Sequence, residues 1–245
     1  MSRLARQYSE TGLYHIFFRG QNRQHIFEED EDYKKMLEIL SDLKREMGFE
    51  LYVYCLMSNH VHLLIKEKET GQISLIMKRL LTKYVRLYNY KYQRTGSLIA
   101  NRYKSKPIET DEYFLPLVRY IHQNPVRAGL MHDLAKYPWS SYSQYIKNDN
   151  KIVDTEFVLT MMSPKEFKKF HKETEKEIFV VDDRLKITDE GVRREIKKKY
   201  SVEPKQIAEL DKEARNIVLR ELKERFSIRQ IERVTGISRG VIYKS

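Results

Sequence analysis

Two histidines separated by one apolar residue, His60-Val61-His62, are the first place in this 245-residue sequence where residue type and spacing together suggest chemistry. On a strand, residues two apart project from one face. Both imidazoles can then approach a single cation while Val61 turns into the core. Imidazole nitrogens with an oxygen ligand, and room left for phosphate oxygens, suit Mg²⁺ or Mn²⁺ at a phosphodiester. Zinc is the alternative, although a single cysteine argues against a structural thiolate site. Two half-exposed surface histidines would give the same pattern, so a metal reading needs a third ligand and a nucleophile from elsewhere.

The run Arg119-Tyr120-Ile121-His122-Gln123-Asn124-Pro125-Val126-Arg127-Ala128-Gly129 offers both. Tyr120 and Asn124 are four apart, hence neighbours on one helix face. Asn124 brings a neutral carbonyl oxygen to a metal, and Tyr120, one turn earlier, can reach a phosphate held there. A phenol with an ordinary pKa of about 10 needs a nearby cation to become a competent nucleophile. The chain has 17 tyrosines, so most must be structural. Tyr113, seven residues before Tyr120, is the main competitor; Tyr14, Tyr84 and Tyr103 suit packing or DNA contact better.

Three blocks of sequence resemble those of the single-tyrosine HUH transposases, and among them the REP-associated tyrosine transposases and their insertion-sequence relatives. They are Tyr14-His15 with Arg19-Gly20-Gln21-Asn22-Arg23, then Tyr54 through Ile65, then Arg119 through Gly129. The resemblance spans roughly Leu13 to Tyr142. It implies a ferredoxin-like nuclease core that cuts single-stranded DNA, often at a hairpin, leaving a 5′-phosphotyrosine and a free 3′-OH. By position it places the metal ligands at His60, His62 and Asn124 and the nucleophile at Tyr120. Ser58 stands where such proteins usually carry proline, and Gly96-Ser97-Leu98-Ile99 lacks their histidine and tryptophan. Monomers and domain-exchanged homodimers both occur among such proteins.

The elements that must position these residues follow from hydrophobic periodicity. Leu13–Arg19 reads as a strand, Asp30–Met47 as a helix, and Glu50–Met57 and His60–Lys66 as strands joined by a tight turn at Ser58-Asn59. A long helix from Gln72 to Tyr92 buries Ile73, Ile76, Met77, Leu80, Leu81, Tyr84 and Leu87, and a fourth strand covers Arg102–Glu109. The order is βαββαβ, an α+β ferredoxin-like core with an antiparallel sheet. A further helix starts at Thr110. It is expected to stop at Asn124, because Pro125 disfavours helix in the residue before it, and Pro116 implies a kink or a later start.

Between Thr70 and Ile108 there is no acidic residue, while Lys78, Arg79, Lys83, Arg86, Lys91, Arg94, Arg102, Lys104 and Lys106 interleave with Tyr84, Tyr88, Tyr90, Tyr92 and Tyr103. Cations for phosphates and aromatic faces for bases make a single-strand groove. The expected DNA contacts are Arg19, Asn22, Arg23, Lys83, Arg86, Arg102, Lys104 and Arg127. In the tail, helices Ser227–Val234 and Ser238–Lys244, turning at Gly236, read as a helix-turn-helix. Ile228, Ile231, Val234, Ile237, Val241 and Ile242 form its core, and Arg239, Tyr243 and Lys244 are offered to DNA. Helices are also expected at Asp189–Tyr200 and Pro204–Phe226. This divides the chain into a nuclease domain (1–145), a linker with short helices (146–187) and a helical DNA-binding domain (188–245).

Forty-six Lys and Arg against 35 Asp and Glu give a net charge of +11, which favours a polyanionic partner. The chain has 41% hydrophobic residues, enough for a real core. No apolar run reads as a signal peptide or transmembrane helix. The single Cys55 reads as a small core residue. A reducing bacterial cytoplasm, at the nucleoid, is the expected location. Two other function classes compete: a DNA-binding regulator working through its helix-turn-helix with a vestigial metal site, and a hydrolase of small phosphodiesters, which would not need the basic arm.

Overall fold

The computed structural model describes residues 8–147, 149, 151–173, 189–226 and 228–245. The chain divides into two compact units, 1–179 and 180–245. In the first, β1 (Leu13–Arg19), β2 (Glu50–Met57), β3 (His60–Lys66) and β4 (Lys104–Pro107) form one sheet in the order β2-β3-β1-β4, with every neighbouring pair antiparallel. The β2–β3 turn is Ser58-Asn59, as expected; the Ser58 carbonyl accepts from the Ile26 and Phe27 amides and the Asn59 carbonyl from Gly20.

Helices α1 (Asp30–Met47) and α2 (Ile73–Lys91) pack on each other. Asp32 accepts from the Glu28 and Glu29 amides at the start of α1, and from Lys91 (2.7 Å) and Tyr92 (2.8 Å) at the far end of α2. Arg79 clasps Glu46 with both guanidinium nitrogens. The acidic partners absent from α2's own sequence thus come from α1. Leu87, expected to be buried, is exposed, and Tyr88 takes the inward position.

Alternation sorts the strand side chains. His15, Phe17 and Arg19 share one sheet face with His60, His62 and Leu64, through the pairs Phe17↔His62 and Arg19↔His60. Helix α3 (Asp111–Arg127) covers that face, with the Tyr120 ring against His62 and His15. The other face (Tyr14, Ile16, Phe18, Val61, Leu63, Ile65) is equally buried and is left to the α1–α2 pair.

Contrary to the sequence expectation, α3 does not end at Asn124. It runs through both Pro116 and Pro125 to Arg127. Pro125 cannot donate to the Ile121 carbonyl, but Asn124 Nδ2 does so instead (3.1 Å), as well as donating to Tyr120 O (3.0 Å). The asparagine amide fills the gap in the ladder that the proline opens. Strand β4 is also shorter than the expected 102–109.

β2 is an edge strand, and its outer edge is closed by the chain that follows α3. Leu56 N–H donates to Trp139 O (2.9 Å), Ser141 N–H to Tyr54 O (3.0 Å), Tyr145 Oη to Tyr52 O (2.7 Å) and Leu51 N–H to Asp154 Oδ2 (2.8 Å). Around this strap lie α4 (Tyr142–Lys147), α5 (Glu156–Met161) and α6 (Pro164–Phe170). Val153, Val158, Phe167 and His171 are buried. His171 Nδ1 donates to Phe167 O (2.9 Å), so its Nε2 accepts from His122 Nδ1 (3.0 Å), and His122 Nε2 accepts from Ser141 Oγ (2.8 Å). The linker expected from residue 146 is corrected as far as residue 173: among the described residues these anchors tie the stretch to the first unit. Their helices are short and mostly charged, so only a few anchors mark their inner side.

The second unit contains α7 (Asp189–Tyr200), a 3₁₀ segment (Pro204–Glu209), α8 (Lys212–Arg225), α9 (Ile228–Thr235) and α10 (Arg239–Lys244). The single helix expected over Pro204–Phe226 is interrupted because Asp211 caps α8, accepting from the Glu213 and Ala214 amides. Ile231, Val234, Ile237 and Ile242 join a core with Val192, Ile196, Leu219 and Phe226. Val241, expected in that core, is instead 39% exposed. Gly236 makes the α9–α10 turn at φ 78°. Ser238 begins α10 without a side-chain cap bond; Ser227, where the first tail helix is expected to begin, and the Lys244 side chain lie outside the described residues. Among the described residues no helix is long and apolar enough to cross a membrane.

Candidate active site

His62, expected to face a cation, lies at the centre of the α3-covered face and is fully buried. Its Nδ1 is 3.0 Å from His15 Nε2, and its Nε2 is buried with no hydrogen-bond partner among the described residues. The two rings stack with centroids 5.2 Å apart. His60 sits two residues away at the strand end, partly exposed, its ring edge-on to His62 with centroids 5.3 Å apart. Asn59 Oδ1 can only accept, so His60 Nδ1 carries the proton of their 2.7 Å bond and Nε2 is the lone-pair nitrogen. Burial holds His62 well below the ordinary histidine range, helped by His15, His60 and Arg19. Burial, then Lys106, pushes His15 down to about 3. All these causes favour neutral imidazoles, the form that ligates metals.

Tyr120 is brought to this pair. Its ring centroid is 6.0 Å from that of His62 and 6.5 Å from that of His15. The Arg127 guanidinium, two helical turns on, lies 4.8 Å from the ring centroid. Tyr113 goes elsewhere: its hydroxyl accepts from Lys106 (3.0 Å), whose ammonium also lies over its ring. Asn124 donates its amide nitrogen to its own helix, which fixes the side chain's orientation and turns Oδ1 away from those carbonyls. Among the described residues no group of three or more His, Cys, Asp and Glu side chains is placed to hold a metal ion.

The basic residues divide into those near this face and those far from it. Lys104 pairs with Phe17 and Lys106 with His15 across β1–β4, so both lie on the histidine face, and Arg19 pairs with His60. The 20–24 turn meets the same end of the sheet. Asn59 Nδ2 reaches Arg23 O at 3.5 Å, and Asn22 and Arg23 are held at φ 49° and 63°, a conformation non-glycine residues adopt sparingly. A Cβ on Gly20 would lie 2.1 Å from Gln24 O, so the turn requires glycine there. Arg102 is exposed in the loop before β4. Lys83 and Arg86 are exposed on α2, across the sheet from the histidines. In the second unit Arg239 is ion-paired with Glu232 (3.1 Å) and Tyr243 is exposed.

The expected aromatic groove on the basic arm is corrected. Tyr84, Tyr88 and Tyr103 are buried, Tyr92 bonds Asp32, and only Tyr90 of the five is largely exposed. Tyr14 is buried too, and Cys55 is a core residue whose thiol burial pushes well up. Sequence reasoning missed His15 and Lys106 as neighbours of the site. The signal was there: an imidazole within an apolar strand, in phase with Phe17 and Arg19.

The chain is similar to several known proteins. Residues 9–124 match the family model described as "Transposase IS200 like". A Haemophilus influenzae protein carrying the name REP-associated tyrosine transposase is 26% identical over 164 residues, 60% of this chain and 89% of that protein. Among solved structures, a REP-associated tyrosine transposase bound to a REP hairpin superposes with a TM-score of 0.52 at 18% identity, covering 60% of this chain and 86% of that one. A Deinococcus radiodurans R1 transposase structure is 21% identical over 50% of this chain and 97% of its own, with a TM-score of 0.36.

Proposed function

We propose that the chain, whose residues 9–124 match the IS200-like transposase family, cuts and rejoins single-stranded DNA at hairpins or repeats, with Tyr120 as nucleophile and Mg²⁺ or Mn²⁺ held by His60, His62 and Asn124. The observation that carries the reading is the Tyr120 ring set against His62, whose buried Nε2 has no hydrogen-bond partner among the described residues. Metal binding at His62 Nε2 requires the tautomer in which His62 Nδ1 donates to His15 Nε2, with His15 fixing the ring as outer partners of metal-bound histidines do. The residues therefore fit a divalent metal. When bound, it would neutralise charge building on the phosphate oxygens.

The chain's own residues supply the rest. Tyr120 gives up its phenolic proton, and its oxygen bonds phosphorus as the P–O3′ bond opens. The 3′ oxygen takes up a proton, leaving a 5′-phosphotyrosine and a free 3′-OH; rejoining reverses these steps. Arg127, beside the Tyr120 ring, favours the phenolate and the incoming phosphate. Arg19, Lys104 and Lys106 bring positive charge to the histidine face.

Strand order β4-β1-β3-β2 with two packed helices supports a ferredoxin-like core, and the α9–α10 pair supports a helix-turn-helix as a second DNA hold. The test is covalent capture. With labelled hairpin DNA and Mn²⁺, a detergent-resistant protein–DNA adduct is expected. It should vanish in Tyr120→Phe or with a chelator and persist in Tyr113→Phe. An adduct formed by Tyr120→Phe would disprove the assignment.

A further inference from the structure

Beyond the tyrosine, on the α6 side of α3, lies an open cleft of about 650 Å³. Its volume is within the range of small-ligand sites, roughly 300–1,000 Å³, and could hold one or two nucleotides. Val126, Leu134, Tyr142 and Ile146 give it an apolar lining, and Arg127, Lys168 and Lys172 give it a cationic one. Lys168 and Lys172 are four residues apart and exposed. Among the described residues none of these three cations is in an ion pair, unlike Arg79 and Lys91 of the basic arm. The acid lining the cleft, Asp133, is partly committed: its Oδ1 accepts from the Ala135 amide. An apolar surface beside unpaired cations matches a nucleotide, a base with a phosphate attached, better than a purely apolar or purely ionic ligand.

The position says which nucleotide. Arg127 belongs to both sites: it lines the cleft and its guanidinium lies 4.8 Å from the Tyr120 ring centroid. A strand with a phosphate at Tyr120 would pass Arg127 on its way into the cleft. We propose that the cleft is a holding site for unpaired DNA flanking the cut, with Arg127, Lys168 and Lys172 taking phosphates and Val126, Leu134 and Tyr142 taking the base. This rests on the strand-cutting reading for the position of the cut, but its binding chemistry can be tested without cleavage. The cleft's Asp133, Tyr142, Lys168 and Lys172 all lie outside the 9–124 segment matched by the family model, so it is assigned from this chain's own residues.

The test uses the full chain with Tyr120→Phe, which blocks covalent reaction, and compares it with the same chain carrying Lys168→Glu and Lys172→Glu. Both lysines are exposed, so the fold should survive, and an unchanged melting curve verifies this. Binding of fluorescent oligothymidylate and of a blunt hairpin duplex is followed by anisotropy over a range of salt. Expected is a loss of about tenfold or more for oligothymidylate, with the slope of log affinity against log salt reduced by about 1.4, two phosphate contacts at roughly 0.7 each. The blunt hairpin should change less than about twofold. Equal losses for both probes, or no loss for oligothymidylate, overturn the proposal. Failure of the adduct assay with this binding difference intact would instead overturn the strand-cutting reading alone.

Discussion

Replacing Asn124 with alanine removes two hydrogen bonds at once, the donations to Tyr120 O and Ile121 O. The second matters more. The backbone donor for Ile121 O would be the N–H of residue 125, which proline lacks. An unsatisfied buried carbonyl costs about 1–3 kcal/mol, and Ile121 is fully buried. We expect Asn124→Ala to destabilise the first unit by about 1–2 kcal/mol in urea unfolding with chelator present, so that no ligand role contributes. Pro125→Ala restores the backbone donor. In that background, Asn124→Ala should cost less than about 0.5 kcal/mol, which makes the pair a double-mutant cycle with a coupling near 1 kcal/mol. The refuting results are Asn124→Ala as stable as wild type, or equally costly in both backgrounds. DNA cleavage then separates the two roles: the double variant should regain stability but not adduct formation if Oδ1 also serves the cation.

Two further outcomes follow from the packing. Burial pushes His171 down to about 4 and His122 well below the usual range. The unfolded chain therefore binds protons below about pH 6.5 that the folded one refuses. Stability should be fully present above that pH and fall as pH drops towards 4, and in His171→Gln the slope over this window should be shallower by up to about 1.4 kcal/mol per pH unit; an unchanged slope would remove His171 from the account. A chain ending at residue 145 loses the buried side chains of Val153, Val158 and Phe167, roughly 5–9 kcal/mol at 1.5–3 each. That rivals a whole domain's stability of about 5–15 kcal/mol. It should show no cooperative unfolding, whereas 1–179 should unfold in one transition.

The sequence was most informative where periodicity and chemistry coincide. Strands β1, β2 and β3 and helix α1 have the bounds their patterns predict, because alternation and caps are local signals. The Tyr120–His62 approach follows from helix phase plus strand phase, once α3 is laid on that face. What was not legible is non-local. Nothing near Pro125 says that Asn124 can stand in for its missing N–H. Nothing in the acid-free run of α2 says that Asp32 and Glu46 of α1, and Glu29 just before it, will neutralise part of it. The strap's end, from residue 146 to Asp154, reads as a linker because its partners are the unpaired groups of an edge strand, about 100 residues earlier for Leu51 and Asp154.

These corrections change where the electrostatics of the proposed reaction resides. If α2 were the groove, DNA would lie across the sheet from the histidines, and its cations would do little for a phosphate at Tyr120 beyond a screening length of about 8 Å. Instead Arg79 and Lys91 are held by α1, while Arg19, Lys104 and Lys106 share the face of His15 and His62, and Arg127 lies against Tyr120. The cations placed to favour a phenolate and its phosphate are thus on β1, β4 and the end of α3. Charge removal at Lys104 or Arg127 should therefore slow adduct formation more than removal at Lys83 or Arg86, which should weaken binding alone.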